Sequence, residues 1–145
     1  MKVREVMSGH VVRIDPEETV EVAARTLAQF NIGALPVCAQ NGNLLGVVTD
    51  RDLVIRCMAA GKTPAQTKVR EIMTNKIISV APDTEAGVAA HLMGRRQVRR
   101  LAVTENGRLC GMVSLGDLAV REDSVMDAAD ALQDISGNIM DGNAW

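Results

Sequence analysis

Two short segments carry the side chains best suited to binding a phosphorylated ligand. They are Thr49-Asp50-Arg51-Asp52 and Ser114-Leu115-Gly116-Asp117, each placed where a predicted strand turns into a predicted helix. A hydroxyl followed three residues later by a carboxylate is close to a capping box, which starts a helix. The same pattern also suits a ligand, because free N–H groups at a helix start favour a phosphate and the hydroxyl adds a donor. The carboxylate one turn later can accept both hydroxyls of a ribose, and the two interpretations are compatible.

The two segments occupy equivalent positions in an internal repeat. The segment Val3-Arg4-Glu5-Val6-Met7 is similar to Val69-Arg70-Glu71-Ile72-Met73, and the segment from Asn41 to Thr49 is similar to that from Asn106 to Ser114. Each copy of such a repeat is one folding unit, and two copies can build sites that neither has alone. Because each copy has only about 60 residues, we expect the two to share one core.

The sequence of each copy predicts secondary-structure elements in the order strand, helix, strand, strand, helix. In the first copy a strand at 11–14 precedes a helix that ends near Phe30, whose apolar residues recur at three- and four-residue spacing. Two short apolar runs, 34–38 and 44–49, are joined by an Asn-Gly turn typical of a hairpin. A second helix follows over 50–60. The predicted organisation is repeat 1 at 1–61, a linker at 62–68, repeat 2 at 69–122 and an acidic tail at 123–145, with an amphipathic helix over 124–135.

Composition excludes several classes of function. The chain of 145 residues has a net charge of −2, one Phe, one Trp and no Tyr, so it lacks the aromatic residues that stack on nucleic-acid bases. His10 and His91 do not lie in a ligand-spaced cluster, and we expect no metal site. The three cysteines fit buried free thiols. No nucleophile-and-base pattern, signal peptide or membrane span is found, which favours a non-catalytic cytoplasmic protein without a membrane partner.

The ordered motifs of both copies resemble the CBS domain family, whose tandem pair is known as a Bateman module. They are the V-R-E-h-M opening (h for any apolar residue), an h-x-P before the first helix, N-I-G-A-L-P-V at 31–37 and G-h-h-[ST]-x-x-D, and they cover residues 1–122. The resemblance implies an α+β fold in which two β-α-β-β-α repeats pack sheet to sheet about a pseudo-twofold axis and leave two clefts. In many members these clefts bind AMP, ADP, ATP, S-adenosylmethionine or a dinucleotide such as NAD, and few of those members are catalysts.

The resemblance also assigns residues to the ligand. It places Thr49 and Ser114 on phosphate and Asp52 and Asp117 on ribose. Arg99 and Arg100 match the family's basic pair, which reaches phosphates by bidentate contacts. The first copy has Gly33 and Ala34 instead, so the two pockets are expected to differ, with a polyphosphate favoured near the arginines. The residues expected around the adenine are Val12, Ile14, Ala34, Leu35, Ile78 and Val80.

Two functions remain open at this point. One is a regulatory module without a required cofactor, which binds an adenine nucleotide and signals to an unknown effector protein in trans. The other is a structural or interaction module whose clefts are vestigial. In either case a homodimer is expected, because two-fold pairing covers the apolar helix faces, with Val54, Ile55 and Met58 in one copy and Leu118, Ala119 and Val120 in the other.

Overall fold

The computed structural model describes residues 1–137, and in it both copies consist of helices packed on short strands, which confirms the α+β class. The elements in chain order are α1 Val20–Phe30, β1 Ala34–Cys38, β2 Leu44–Thr49, α2 Asp50–Asp52, α3 Val69–Ile72, β3 Ser79–Val80, α4 Ala86–Arg96, β4 Arg100–Glu105, β5 Arg108–Ser114, α5 Leu115–Ala119 and α6 Val125–Gly137. A π-helical segment, Leu53–Met58, continues α2, and 3-10 turns cover Val3–Glu5 and Pro64–Gln66. β1 pairs with β2 antiparallel, and the second sheet has the order β3-β4-β5.

The ends of α1 follow from local chemistry. The Thr19 hydroxyl accepts a hydrogen bond from the Val22 N–H at 3.2 Å, which satisfies one of the donors left free at a helix start. Asn31 ends the helix in the left-handed conformation, with φ 52°, and Gln97 ends α4 in the same way with φ 60°. The predicted helix end near Phe30 is therefore confirmed.

The predicted first strand over 11–14 is wrong. Only Ile14 pairs with β1, as a single parallel bridge to Val37, whereas the second copy forms the two-residue strand β3 against Ala102 and Val103. The difference has a simple cause, since Pro36 has no N–H to continue the ladder while Ala102, at the equivalent position, has one. The pairing shortens to one bridge for that reason.

The chain forms two compact units that exchange their opening segments. One unit contains Met1–Val11 together with Ile78–Asn106 and the chain from Cys110 onward, and the other contains Val12–Ile77 with Gly107–Leu109. We call these the C-unit and the N-unit, after the sequence copy that supplies most of each. The opening segment of the first copy therefore belongs to the C-unit, and that of the second copy belongs to the N-unit.

The two exchanged segments make equivalent contacts. In the C-unit the Val3 N–H donates to the Thr84 carbonyl at 2.8 Å, and Arg4 pairs with Asp83 at 2.7 Å. In the N-unit the Val69 N–H donates to the Glu18 carbonyl at 2.8 Å, and Arg70 pairs with Glu17 at 3.1 Å. Val3 and Val69 are both fully buried, so each segment also contributes to the core of its unit.

Each unit has a hydrophobic core of its own, so the expectation of one shared core is wrong. The larger members of the C-unit core are Val3, Met93, Leu101, Val103, Leu118 and Ile135. Those of the N-unit core are Val20, Leu27, Leu35, Val48, Val69 and Ile72. Recruiting the opening segment of the other copy and, in the C-unit, α6 supplies the apolar surface that a copy of this size lacks.

The helix of the acidic tail packs against α4 and α5, and this packing depends on small residues. A Cβ added at Gly94 would lie 3.2 Å from the Ala131 Cα, and one added at Gly87 would lie 3.0 Å from the Asp127 carboxylate. α1 carries Glu21 and Ala28 at the corresponding positions. Only α4 therefore offers a surface that lets α6 approach so closely. Among residues 1–137, no helix is long and apolar enough to cross a membrane.

Candidate functional site

Both hydroxyl–carboxylate segments form capping boxes, which confirms the structural interpretation of that pattern. In the N-unit the Asp52 N–H donates to the Thr49 hydroxyl at 3.1 Å, and the Thr49 N–H donates to the Asp52 carboxylate at 2.9 Å. The corresponding distances for Ser114 and Asp117 in the C-unit are 3.0 and 2.8 Å. Each hydroxyl accepts through its oxygen, so its own proton remains available for a ligand.

The two carboxylates have different surroundings. Asp52 is only 7% exposed, and its carboxylate lies 3.6 Å from the Arg56 guanidinium and 3.5 Å from the Thr74 hydroxyl. Asp117 is half-buried, and its carboxylate accepts one hydrogen bond, from the Ser114 N–H. The Asp117 carboxylate is therefore the more available of the two for a ligand.

Arg99, Arg100 and Ser114 line one groove of about 530 Å³ in the C-unit. Both arginines are exposed, and neither forms an ion pair within residues 1–137. The structure thus brings together three of the predicted phosphate ligands. Two guanidinium groups and a hydroxyl in the lining of one groove suit an anionic group.

The corresponding surface of the N-unit has a different balance of charge. A groove of about 340 Å³ is lined there by Asp50, Arg51, Val54 and Ile55. A Cβ added at Gly33, which replaces the first arginine of the pair, would lie 3.4 Å from the Asp50 carboxylate. The C-unit groove thus has two lining arginines and no carboxylate, whereas the N-unit groove has Arg51 together with Asp50, so a phosphate is less favoured there.

The residues predicted around the adenine fall into two groups. Leu35 is fully buried in the N-unit core, and Ile14 is buried with its N–H and carbonyl engaged by Pro36 and Cys38, so neither side chain is open to a ligand. The others are half-buried: Val12 and Ala34 in the N-unit, and Ile78 and Val80 in the C-unit. Their role in binding stays a prediction.

α6 lies beside the site, although none of its residues was among those predicted from the sequence to bind a ligand. The apolar lining of the C-unit groove comes from α5 and α6, namely Leu115, Gly116, Ala119, Val125, Ala128, Ala129 and Leu132. The apolar face of α6 was visible in the sequence as a three- and four-residue periodicity. That periodicity predicts a helix with a buried side, but it does not say which surface covers that side.

The surroundings of Cys38 and Cys110 do not favour a reactive thiol. Burial raises the pKa of the Cys38 thiol, and the same cause raises the pKa of Cys110. Raised pKa values keep these thiols protonated and unreactive near neutral pH. Within the part of the chain that the structure describes, no three His, Cys, Asp or Glu residues are grouped to hold a metal ion.

Comparison with known proteins places this architecture in a family. The CBS domain family model matches residues 3–58 and 69–121, which are the two copies of the repeat. The chain therefore belongs to the CBS domain family and carries two tandem repeats, the composition of a Bateman module.

Several of its relatives are proteins of similar size. The chain is 40% identical over 134 residues to CBS domain-containing protein YhcV of Bacillus subtilis, covering 92% of this chain and 94% of the relative. It resembles the crystal structure of Hypoxic Response Protein I with two coordinated zinc ions, with TM-score 0.75, 34% identity and coverage of 82% and 97%. It also resembles CBS domain protein PAE2072 from Pyrobaculum aerophilum complexed with AMP, with TM-score 0.76, 25% identity and coverage of 89% and 98%.

Proposed function

We propose that this chain is a non-catalytic regulatory module that binds an adenine nucleotide of the AMP, ADP or ATP type and signals its occupancy to a partner protein. The observation that carries the proposal is the convergence of Arg99, Arg100 and Ser114 on one groove, with the Asp117 carboxylate three residues beyond the hydroxyl. The AMP complex of the similar protein PAE2072 supports the choice of nucleotide. S-adenosylmethionine and NAD remain members of the same ligand class.

The nucleotide site is assigned to the second repeat. Its carboxylate is half-buried and its arginines are unpaired within residues 1–137, whereas Asp52 is buried beside Arg56 and the N-unit groove contains Asp50. These features of the first repeat favour a vestigial site there. One nucleotide per chain is the expected stoichiometry.

Calorimetry with ATP, AMP and adenosine tests the proposal. Replacing Arg99 and Arg100 by alanine should weaken ATP most, AMP less and adenosine least, because each phosphate loses a charge-assisted contact worth about 1.5–3 kcal/mol. Asp117→Ala should weaken all three by about tenfold or more, since the ribose is common to them. Arg95→Ala serves as the matched control, because Arg95 is an exposed arginine outside the groove. Equal losses for all three ligands in the double arginine variant would contradict phosphate recognition.

A homodimer is proposed through the N-unit. Val54, Ile55 and Met58 are 50, 50 and 66% exposed there. In the C-unit Leu118 is fully buried and unavailable, whereas Val120 is 82% exposed, so only part of the apolar face expected from the sequence is open there. Ile55→Asp should therefore yield monomers by light scattering, whereas Val88→Asp, on the exposed surface of α4, should leave the dimer intact. A wild-type protein that is monomeric at high micromolar concentration would refute the dimer.

A further inference from the structure

The lining of the C-unit groove combines two arginines and a hydroxyl with an apolar majority. Arg99, Arg100 and Ser114 supply its polar side chains. Every lining residue contributed by α6 is apolar, and these residues are Val125, Ala128, Ala129 and Leu132. A bare phosphate would use the arginines but would leave this apolar wall without a partner.

The carboxylates of α6 do not explain the groove. Asp127 and Asp134 lie against α4, since a Cβ added at Gly87 or Gly94 would meet their carboxylates at 3.0 Å. Asp130 does not line the groove either. The helix therefore directs two carboxylates toward α4 and its apolar residues toward the groove, and the charge of the arginines is left for a ligand.

We propose that this groove binds a soluble single-chain anionic amphiphile, such as an alkyl, acyl or prenyl phosphate. The head group lies on Arg99 and Arg100, and the chain lies along Ala129 and Leu132 of α6. The volume of about 530 Å³ falls within the roughly 300–1,000 Å³ that is usual for small-molecule sites. The N-unit groove is the internal contrast, because its single lining arginine, Arg51, is accompanied by Asp50 and its lining residues all come from α2 and the π-helical segment.

A series of alkyl phosphates provides the test. Inorganic phosphate and butyl, hexyl and octyl phosphate are titrated into the full-length protein by calorimetry, below the concentrations at which they form micelles. Each added methylene should tighten binding two- to fourfold, the upper figure being the conversion of about 0.8 kcal/mol per buried CH₂. Affinity that is the same for inorganic phosphate and octyl phosphate would overturn the proposal.

Two matched variants test where the alkyl chain of the ligand lies. Ala129→Glu places a carboxylate on the apolar wall and should abolish the dependence of affinity on alkyl chain length. Met126→Glu is the control, because it adds the same charge to the same helix at a residue that is 73% exposed and outside the groove. Both positions are exposed, and circular dichroism verifies that both variants fold. Equal losses of octyl phosphate affinity in the two variants would mean that the chain does not lie along α6.

Two further measurements separate this inference from related ones. Adenosine has neither a phosphate nor an alkyl chain, so its binding tests the nucleotide proposal alone, and either proposal can fail while the other stands. Sedimentation with phosphatidic acid vesicles examines a membrane source of the head group. Co-sedimentation without binding of monomeric octyl phosphate would overturn the soluble ligand.

Discussion

Replacing each capping-box carboxylate by alanine should affect the two units unequally. Asp52→Ala removes the acceptor of the Thr49 N–H, and Thr49 is only 5% exposed, so water has little access to the donor left behind. An unsatisfied buried donor costs about 1–3 kcal/mol. Losing the partner of Arg56 adds little, because that guanidinium is half-exposed. We expect a total loss of about 2–3 kcal/mol of unfolding free energy.

The corresponding loss for Asp117→Ala should be smaller. Ser114 is half-buried, so water replaces the carboxylate as acceptor of its N–H, and a net loss of about 0.5–1.5 kcal/mol remains. At about 3 °C per kcal/mol for a chain of this length, the melting temperature should fall by roughly 6–9 °C for Asp52→Ala and by roughly 2–4 °C for Asp117→Ala.

Thermal unfolding of the ligand-free variants measures both losses. Asp52→Asn and Asp117→Asn are the controls, because an amide oxygen can still accept the N–H. They should recover most of the lost stability. A larger loss for Asp117→Ala than for Asp52→Ala would refute the inference that burial decides the cost.

Three other perturbations test the packing described above. Ile135→Ala should cost about 3 kcal/mol in urea unfolding, because Ile135 is fully buried on α6; a loss near zero would show that the helix is not part of the C-unit core. Gly46→Ala should lower the unfolding free energy by about 1–3 kcal/mol, since the new Cβ would lie 2.6 Å from the Thr74 carbonyl oxygen. It should also speed hydrogen exchange at the Val47 N–H, which donates to that carbonyl. Gly9→Ala, with nothing within 4 Å of its Cβ, should be neutral. The pKa of Glu17 is lowered chiefly by its hydrogen bond to Lys68, so the stabilisation from this pair is present above the carboxylate's ordinary pKa and lost as the pH falls through the lowered one. NMR titration should show a midpoint for Glu17 below 4.5 that rises toward 4.5 in Lys68→Met, where Arg70 still lowers it, and an unchanged midpoint would contradict the pairing.

Features that depend on neighbouring residues were predictable from the sequence. The capping boxes join residues three apart, and the end of α1 depends on the conformation of Asn31 alone. The single bridge at Ile14 was not foreseen, although its cause, the missing N–H of Pro36, is visible in the sequence. The apolar residues at 11–14 favour a strand, but they do not show that the N–H needed to extend the pairing is missing.

Features that depend on distant contacts were not predictable in the same way. Arg56 and Arg121 occupy the same position in the two copies, yet only Arg56 pairs with its aspartate. Thr74 lies beside Asp52, while its counterpart Ser8 donates to the His10 carbonyl instead. The repeat therefore predicts two similar boxes, and the packing around each box makes them different.

The exchange of opening segments has a consequence for any chain that contains one repeat. Such a chain would carry a segment with no unit of its own to complete, and its helices and strands would lack the residue equivalent to Val3 or Val69 in their core. Two such chains could place each free segment and complete each core by exchanging their opening segments, as domain-swapped dimers do. Residues 62–68 join the two copies, so the exchange of segments is intramolecular. Its entropic cost is that of closing a loop, and it no longer depends on protein concentration. The tandem chain is in this sense a swapped dimer held within one polypeptide.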